Sequence, residues 1–253
     1  MKIGLTLSGG GARGVAHIGV IKALEELGLE FSIISGTSAG SIIGAMYAYG
    51  YKPLHILEII KEISIFKSVR PAWNWSGLLT MDGMKDLLFK YMPNNSFEKL
   101  KIPLTIAATE IRIGEIRYFN EGELIPAIMA SCTIPAVFSP MVLKDGLYVD
   151  GGVFDNLPAK VIRGKCDFVI GSHCNQIPRE FDPKNMKVVI ERTLLMAINA
   201  NTQISRNYCD VFIEPTGLGK YGSFEIGKAQ EIFDFAYAYT KENFQRNSFS
   251  FLV

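Results

Sequence analysis

One stretch, residues 32–44, limits what this chain can fold into more than any other part of it. It begins as a short apolar strand and continues as a helix rich in small residues, and between them stands Gly36-Thr37-Ser38-Ala39-Gly40. A serine between two glycines at a strand-to-helix junction is typical of a nucleophile elbow. The turn is sharp, so a Cβ atom at either glycine would crowd it. The alternative is that Ser38 is only a helix N-cap, a common place for serine.

Composition predicts a globular chain with a large core. The 253 residues are 48% hydrophobic, and we expect them to form a single catalytic domain, 1–253. The formal net charge is +1 and no basic run occurs, which argues against a nucleic-acid partner. The four cysteines form no CxxC pair, which predicts reduced thiols in a cytoplasmic protein, not disulfides or a zinc site. They are Cys132, Cys166, Cys174 and Cys209.

Two uncharged stretches, 31–51 and 124–143, are long enough to be confused with membrane spans. The first contains the elbow and is better explained as strand, turn and helix. The second contains three prolines, too many for one continuous helix. We expect both to be buried in the core. At the start of the chain, Lys2 is followed by only a short apolar run, so no secretory signal is expected.

The chain opens with a strand–loop–helix–strand unit, which predicts two parallel strands. Its loop is Gly9-Gly10-Gly11-Ala12-Arg13-Gly14. The loop fits a dinucleotide-binding fingerprint, but that fingerprint needs an acid at the end of the second strand, where this chain has the elbow. The other interpretation is an oxyanion hole, in which N–H groups of consecutive glycines bind a developing alkoxide. A plain structural turn is the third alternative.

Downstream, strands alternate with helices, which indicates an α/β fold with a largely parallel sheet. The predicted strands cover residues 104–109, 116–119, 147–149, 168–172 and 211–213, and two long helices cover 187–209 and 226–244. Residues 68–79 break the helical pattern and contain both tryptophans. We expect a packed loop there, the alternative being a lid or a membrane-contact patch.

A nucleophilic serine needs a group to accept its proton, and the chain has three histidines. His173 follows a strand and could complete a triad. His17, inside the first helix, could brace the glycine loop, and His55 is expected on a helix surface. Without a histidine, the base would be Asp150 at a strand end in Asp150-Gly151-Gly152, a motif that also occurs as an ordinary turn.

Taken in order, the glycine loop with Arg13, the elbow around Ser38 and the Asp150 turn resemble the patatin-like phospholipase family. The resemblance extends over roughly residues 2–169. It implies a three-layer α/β/α fold and a Ser–Asp dyad without a catalytic histidine, metal or organic cofactor. Ser38 would be the nucleophile and Asp150 the proton acceptor. The backbone amides of Gly9, Gly10 and Gly11 would form the oxyanion hole, with Arg13 and Gly14 completing its loop. The residues that shape the elbow around Ser38 would be Gly36, Thr37, Ala39 and Gly40. The turn after Asp150 would be formed by Gly151 and Gly152.

The resemblance implies a serine lipid acyl hydrolase of the phospholipase A or esterase type, acting on an acyl lipid. Peripheral contact with membranes is compatible with such a substrate, and the apolar tail 249–253 could contribute to it or pack on its own domain. A thioesterase or transacylase would use the same dyad. A non-enzymatic lipid-binding scaffold is disfavoured because both Ser38 and Asp150 are present. The sequence indicates no oligomeric state.

Overall fold

The computed structural model describes residues 1–69, 81–135, 137–144, 146–177, 181–223 and 225–244. Eight strands in these residues form one sheet. They are β1 (Ile3–Leu7), β2 (Ile33–Thr37), β3 (Leu104–Glu110), β4 (Glu115–Phe119), β5 (Met141–Leu143), β6 (Gly146–Asp150), β7 (Phe168–Ser172) and β8 (Val211–Ile213). The strands coincide with apolar segments of the sequence, which explains their burial. Four of them are buried along their whole length: β1, β2, β3 and β7.

The sheet has the order β5-β6-β3-β2-β1-β7-β8, with β4 also paired to β3. The strands β3, β2, β1, β7 and β8 run parallel to one another. β4 and β6 run antiparallel to β3, and β5 runs antiparallel to β6. The sheet is therefore mostly parallel, and the predicted parallel pairing of the first two strands is confirmed.

Helices cover both faces of this sheet. They are α1 (Ala16–Glu26), α2 (Ala39–Tyr49), α3 (Pro53–Val69), α4 (Met81–Tyr91), α5 (Leu124–Ser131), α6 (Lys160–Arg163), α7 (Met186–Arg206) and α8 (Ala229–Asn243). Neighbouring residues of a strand point to opposite faces. Ile34 belongs to the large core shared with α1, α2 and α8, whereas Ile33 belongs to a smaller core with Ile162 of α6. This confirms the predicted α/β/α layers.

One edge of β3 is shared by two strands placed end to end. β4 occupies the other edge, pairing Tyr118 with Ala107 and Arg117 with Ala108. On the shared edge, Thr37 of β2 pairs with Ala107, and Asp150 of β6 pairs with Ala108. The end of β2 and the end of β6 therefore meet at the same point of the sheet.

The two long helices predicted from the sequence differ in their bounds from the structure. The helix predicted over 187–209 is α7, which ends at Arg206, and the helix predicted over 226–244 begins with a 3₁₀ turn, Ile226–Lys228, before α8. Beyond Val69 the tryptophan segment lies outside the described residues, as does the tail 249–253. No helix in the described ranges is both long and apolar enough to cross a membrane.

Candidate active site

Ser38 lies in the sharp turn between β2 and α2, with φ 52° and ψ −124°. L-amino acids rarely adopt such a positive φ, so the turn is strained. The predicted need for glycine on both sides is confirmed by close backbone approaches. A Cβ on Gly40 would lie 2.4 Å from the Leu7 carbonyl oxygen, and a Cβ on Gly36 would lie 2.6 Å from the Gly40 carbonyl oxygen. No larger residue fits at either position without moving the elbow.

Hydrogen bonds hold the strained elbow in place. The Ser38 N–H donates to the Ser131 hydroxyl at 2.8 Å, and that hydroxyl donates to the Ala107 carbonyl at 2.7 Å. The Ser41 hydroxyl donates to the Ser38 carbonyl at 2.6 Å. Since these partners come from α5, β3 and α2, the tertiary structure fixes the Ser38 backbone.

Asp150 lies at the end of β6 and is only 8% exposed. Its Oδ1 accepts a hydrogen bond from the Gly152 N–H at 2.8 Å. Burial raises the pKa of Asp150 to about 6, against the opposing influence of hydrogen bonding to the Ser38 hydroxyl and the Gly152 N–H. A carboxylate with this pKa is a stronger base than an ordinary aspartate, which favours proton transfer from a serine.

The glycine loop lies directly beside the elbow. A Cβ on Gly9 would be 3.1 Å from the Ser38 Cβ, and one on Gly14 would be 2.4 Å from the Ala39 Cβ. The Gly9 N–H donates to the Asn156 carbonyl at 3.1 Å. Among the residues that the structure describes, the N–H groups of Gly10 and Gly11 have no acceptor. These two are therefore the donors of the loop that remain available for an oxyanion.

Arg13 braces this loop through Ser223. Its side chain is 4% exposed, and its Nη2 donates to the Ser223 hydroxyl at 2.9 Å. The Ala12 N–H donates to the Ser223 carbonyl at 2.8 Å. Burial lowers the pKa of the Arg13 guanidinium. Its Nε–H is buried and has no partner in the described structure.

The histidines lie away from Ser38. His173 is fully buried and its Nδ1 lies 2.8 Å from Glu214 Oε1, with the ring stacked on Phe212. His17 bonds through Nε2 to the Ser8 carbonyl, which precedes the glycine loop, and burial lowers its pKa to about 4. His55 is exposed, as predicted. Within the described residues, no histidine hydrogen-bonds to Ser38.

Ser38 and Asp150 open into a cavity of about 430 Å³. Its polar end also contains the glycine loop, Arg13, Asn156, Asn175 and Ser223. The rest of its wall is apolar and comes from α7 and two loops. The apolar residues are Ile134, Pro135, Val137, Val153, Ile190, Leu194, Leu195 and Ile198. The cavity can take an extended apolar group with a polar, reactive end.

Polar residues of α7 connect both halves of the site, which sequence reasoning missed. Asn201 Nδ2 donates to the Gly152 carbonyl at 3.0 Å, and Asn201 Oδ1 accepts from the Asn156 N–H at 3.1 Å. Asn199 Nδ2 donates to the carbonyl of Asn175, whose own Nδ2 donates to the Gly9 carbonyl, both at 2.8 Å. The amide and hydroxyl residues that recur along α7 were the available signal.

No three His, Cys, Asp or Glu side chains come together as a metal site would need, in the part of the chain that the structure describes. β2 ends at Thr37, which provides no carboxylate for a ribose.

Comparison with known proteins places the chain in a family. Residues 5–162 match the family model described as patatin-like phospholipase. An uncharacterised NTE-family protein of Mycobacterium bovis is 35% identical over 64% of this chain and 46% of its own length. The lysophospholipase nte1 of Emericella nidulans is 26% identical over 96% of this chain but only 18% of its own length.

Among solved structures, that of VipD from Legionella pneumophila is similar in fold. Its TM-score is 0.54 at 14% identity, over 95% of this chain and 66% of that chain. The chain spans less than half the length of both NTE-type relatives described above. Since the family model covers the glycine loop, the elbow and the Asp150 turn, this chain belongs to the patatin-like phospholipase family.

Proposed function

We propose that this protein is a serine lipid acyl hydrolase in which Ser38 is the nucleophile and Asp150 the general base. The observation that carries the proposal is that the strained Ser38 and the buried Asp150, whose pKa is raised to about 6, lie where β2 and β6 meet on the edge of β3. Both residues lie at the polar end of an apolar cavity. Such an arrangement suits an ester whose acyl chain needs an apolar environment.

The first half-reaction transfers the acyl group to the enzyme. The Ser38 Oγ attacks the ester carbonyl carbon while Asp150 takes the hydroxyl proton. The N–H groups of Gly10 and Gly11 donate to the oxyanion of the tetrahedral intermediate. Collapse breaks the bond to the leaving alcohol, which receives the proton from Asp150, and the acyl group remains on Ser38.

Water completes the second half-reaction. Asp150 takes a proton from a water molecule, whose oxygen attacks the acyl carbon. Collapse releases the fatty acid and returns the proton to the Ser38 oxygen. The dyad is regenerated with no net change in its protonation.

The substrate is proposed to be an acyl lipid, with lysophospholipids favoured. The apolar wall contributed by α7 accommodates an acyl chain, while buried Arg13 at the polar end has an unpartnered Nε–H that suits an anionic group. The name of the Emericella relative, a lysophospholipase, supports the same substrate class.

Intact mass after incubation with a fluorophosphonate tests the nucleophile. The reagent phosphonylates activated serines, so one adduct is expected on the wild type and none on Ser38→Ala. Ser32→Ala is the matched control, because Ser32 is an exposed serine outside the cavity and its loss should leave the adduct intact. An adduct that persists on Ser38→Ala would overturn the assignment.

Product analysis tests the reaction class. Incubation with a lysophospholipid should release free fatty acid and a deacylated headgroup in equal amounts. Transfer of the acyl chain to an added alcohol in preference to water would instead identify a transacylase.

A further inference from the structure

We infer that the outward face of α7 is the surface by which this protein docks on a phospholipid bilayer. This inference rests on the proposed function, because it assumes a lipid substrate. We define the α7 outer face as Met186, Ile190, Thr193, Ala197, Ala200 and Ile204. All six residues are exposed, and they follow one another at alternating steps of four and three residues. They therefore form one stripe along the helix.

The α7 outer face exposes apolar residues where an ordinary surface helix exposes polar ones. Met186 is 71% exposed, Ile190 55% and Ile204 65%, and no member of the stripe is charged. At 1.5 Å per residue the stripe is about 27 Å long. Surface helices of globular proteins normally direct charged and polar residues outward and apolar residues inward. On α7 three polar residues, Asn199, Thr202 and Ser205, are instead buried against the rest of the protein.

Two cationic side chains of α7 are engaged by aromatic rings away from this stripe. The Arg192 guanidinium lies over the Phe181 ring, 5.1 Å from its centroid, and the Arg206 guanidinium lies over the Phe212 ring at 4.8 Å. Both contacts hold cationic side chains against aromatic rings of neighbouring segments. Apart from Thr193, whose hydroxyl donates to the Val189 carbonyl at 2.8 Å, the stripe exposes apolar side chains of the kind that mark an interaction site.

Continuity with the cavity identifies lipid as the partner. Ile190 belongs to the α7 outer face and also lines the cavity, together with Leu194 and Ile198 of the same helix. Val153, next to the acid turn, is 37% exposed and lines the cavity as well. An acyl chain that leaves a bilayer at this face meets apolar side chains all the way towards Ser38. An apolar helix stripe seated at a bilayer surface gains affinity in proportion to the apolar area it buries.

Two asparagines of α7 link docking to the reaction. Asn199 and Asn201 hold the glycine loop and the Asp150 turn through the hydrogen bonds described above. The same helix thus contacts lipid through the α7 outer face and positions the reacting groups through these two asparagines. Docking would orient the cavity mouth towards the bilayer without moving the site.

Flotation with phosphatidylcholine vesicles tests this surface, with Ser38→Ala as the parent so that no lipid is hydrolysed. Ala200→Glu/Ile204→Glu introduces two charges on the α7 outer face at residues that do not line the cavity. Leu54→Glu/His55→Glu is the matched control, because both residues are exposed on α3 and neither lines the cavity. The α7 variant should lose at least about tenfold in vesicle affinity, while the α3 variant should stay within about twofold of the parent.

Hydrolysis of a water-soluble short-chain ester by the matching variants with Ser38 intact separates docking from catalysis. We expect both double variants to retain the wild-type rate. If the wild type hydrolyses the soluble ester but the Ser38→Ala parent does not float with vesicles, the docking surface is overturned and the proposed function stands. The proposed function is tested separately, by hydrolysis of the soluble ester by Ser38→Ala, which should be lost.

Three other results would also overturn the docking surface. The α7 variant could float as well as the parent, or the α3 variant could lose as much affinity as the α7 variant. The α7 variant could also convert a dimeric parent into a monomer in size-exclusion chromatography, which would show that a second copy covers the stripe.

Discussion

Thr37 and Asp150 pair with consecutive residues, Ala107 and Ala108, on the same edge of β3. Because Ser38 directly follows Thr37, this register brings the proposed nucleophile and base together at the junction of two strands. Gly151 shows how closely the strands meet there. A Cβ on it would lie 2.3 Å from the Ala107 carbonyl oxygen and 3.0 Å from Thr37 Cγ2.

The pH dependence of hydrolysis should report the environment of Asp150. Its ionised form accepts the serine proton, and its pKa is raised to about 6. We therefore expect kcat/KM on a soluble ester to fall about tenfold per pH unit below a midpoint near 6. A midpoint close to 4, as for an exposed aspartate, would contradict a buried base.

Asp150→Asn should remove activity and stabilise the fold. Loss of the base should lower kcat/KM by at least about 10³-fold, while the amide oxygen can still accept from the Gly152 N–H. A carboxyl with a raised folded pKa contributes stability that is present at low pH and is lost as pH rises towards about 6. At pH 8 the free energy of unfolding of the variant should therefore exceed that of the wild type by about 1–3 kcal/mol, as measured by denaturant titration.

The control for this experiment is the same comparison at pH 4, where Asp150 is protonated and the stability difference should shrink. Retained hydrolysis by Asp150→Asn would show that another group serves as base. A variant that is less stable at pH 8 would contradict the costly burial of the Asp150 charge.

His173→Gln separates a dyad from a triad. His173 pairs with Glu214 and stacks on Phe212, and in the described structure it has no hydrogen bond to Ser38. We expect kcat to remain within about fivefold of wild type, with a lower melting temperature because the buried imidazole loses its contacts with Glu214 and Phe212. A fall of about 10³-fold in kcat with the fold intact would make His173 the base.

Asn201→Ala should impair the site through its geometry. The substitution removes the donor to the Gly152 carbonyl and the acceptor of the Asn156 N–H, so the acid turn and the glycine loop lose a shared anchor. We expect kcat to fall about 10- to 100-fold with little change in KM. Fluorophosphonate labelling should slow in parallel.

Asn243→Ala is the matched control for Asn201→Ala. Asn243 is a helical asparagine on α8 whose side-chain amide donates to the Tyr239 carbonyl of its own helix. Its loss should leave kcat unchanged. Equal effects of the two substitutions would show that Asn201 acts through general stability and not through positioning.

Local sequence determined the parts of this protein that depend on neighbouring residues. The elbow, the glycine loop and the first β–α–β unit each consist of adjacent residues whose allowed backbone angles and apolar spacing predict their structure. For the same reason Ser38 could be identified as a candidate from five residues. Asp150 was identified from its strand-end motif and its place in the order of the family motifs.

Only the tertiary structure decided how these parts combine. The raised pKa of Asp150 depends on burial by segments distant in sequence, and the engagement of the Gly9 N–H by Asn156 depends on the packing of two loops. The hydrogen bonds of Asn201 to the acid turn and the exposed stripe of α7 follow from how that helix packs on the rest of the protein. A periodic pattern specifies faces, but the partner of each face is fixed by contacts between segments that the local pattern does not contain.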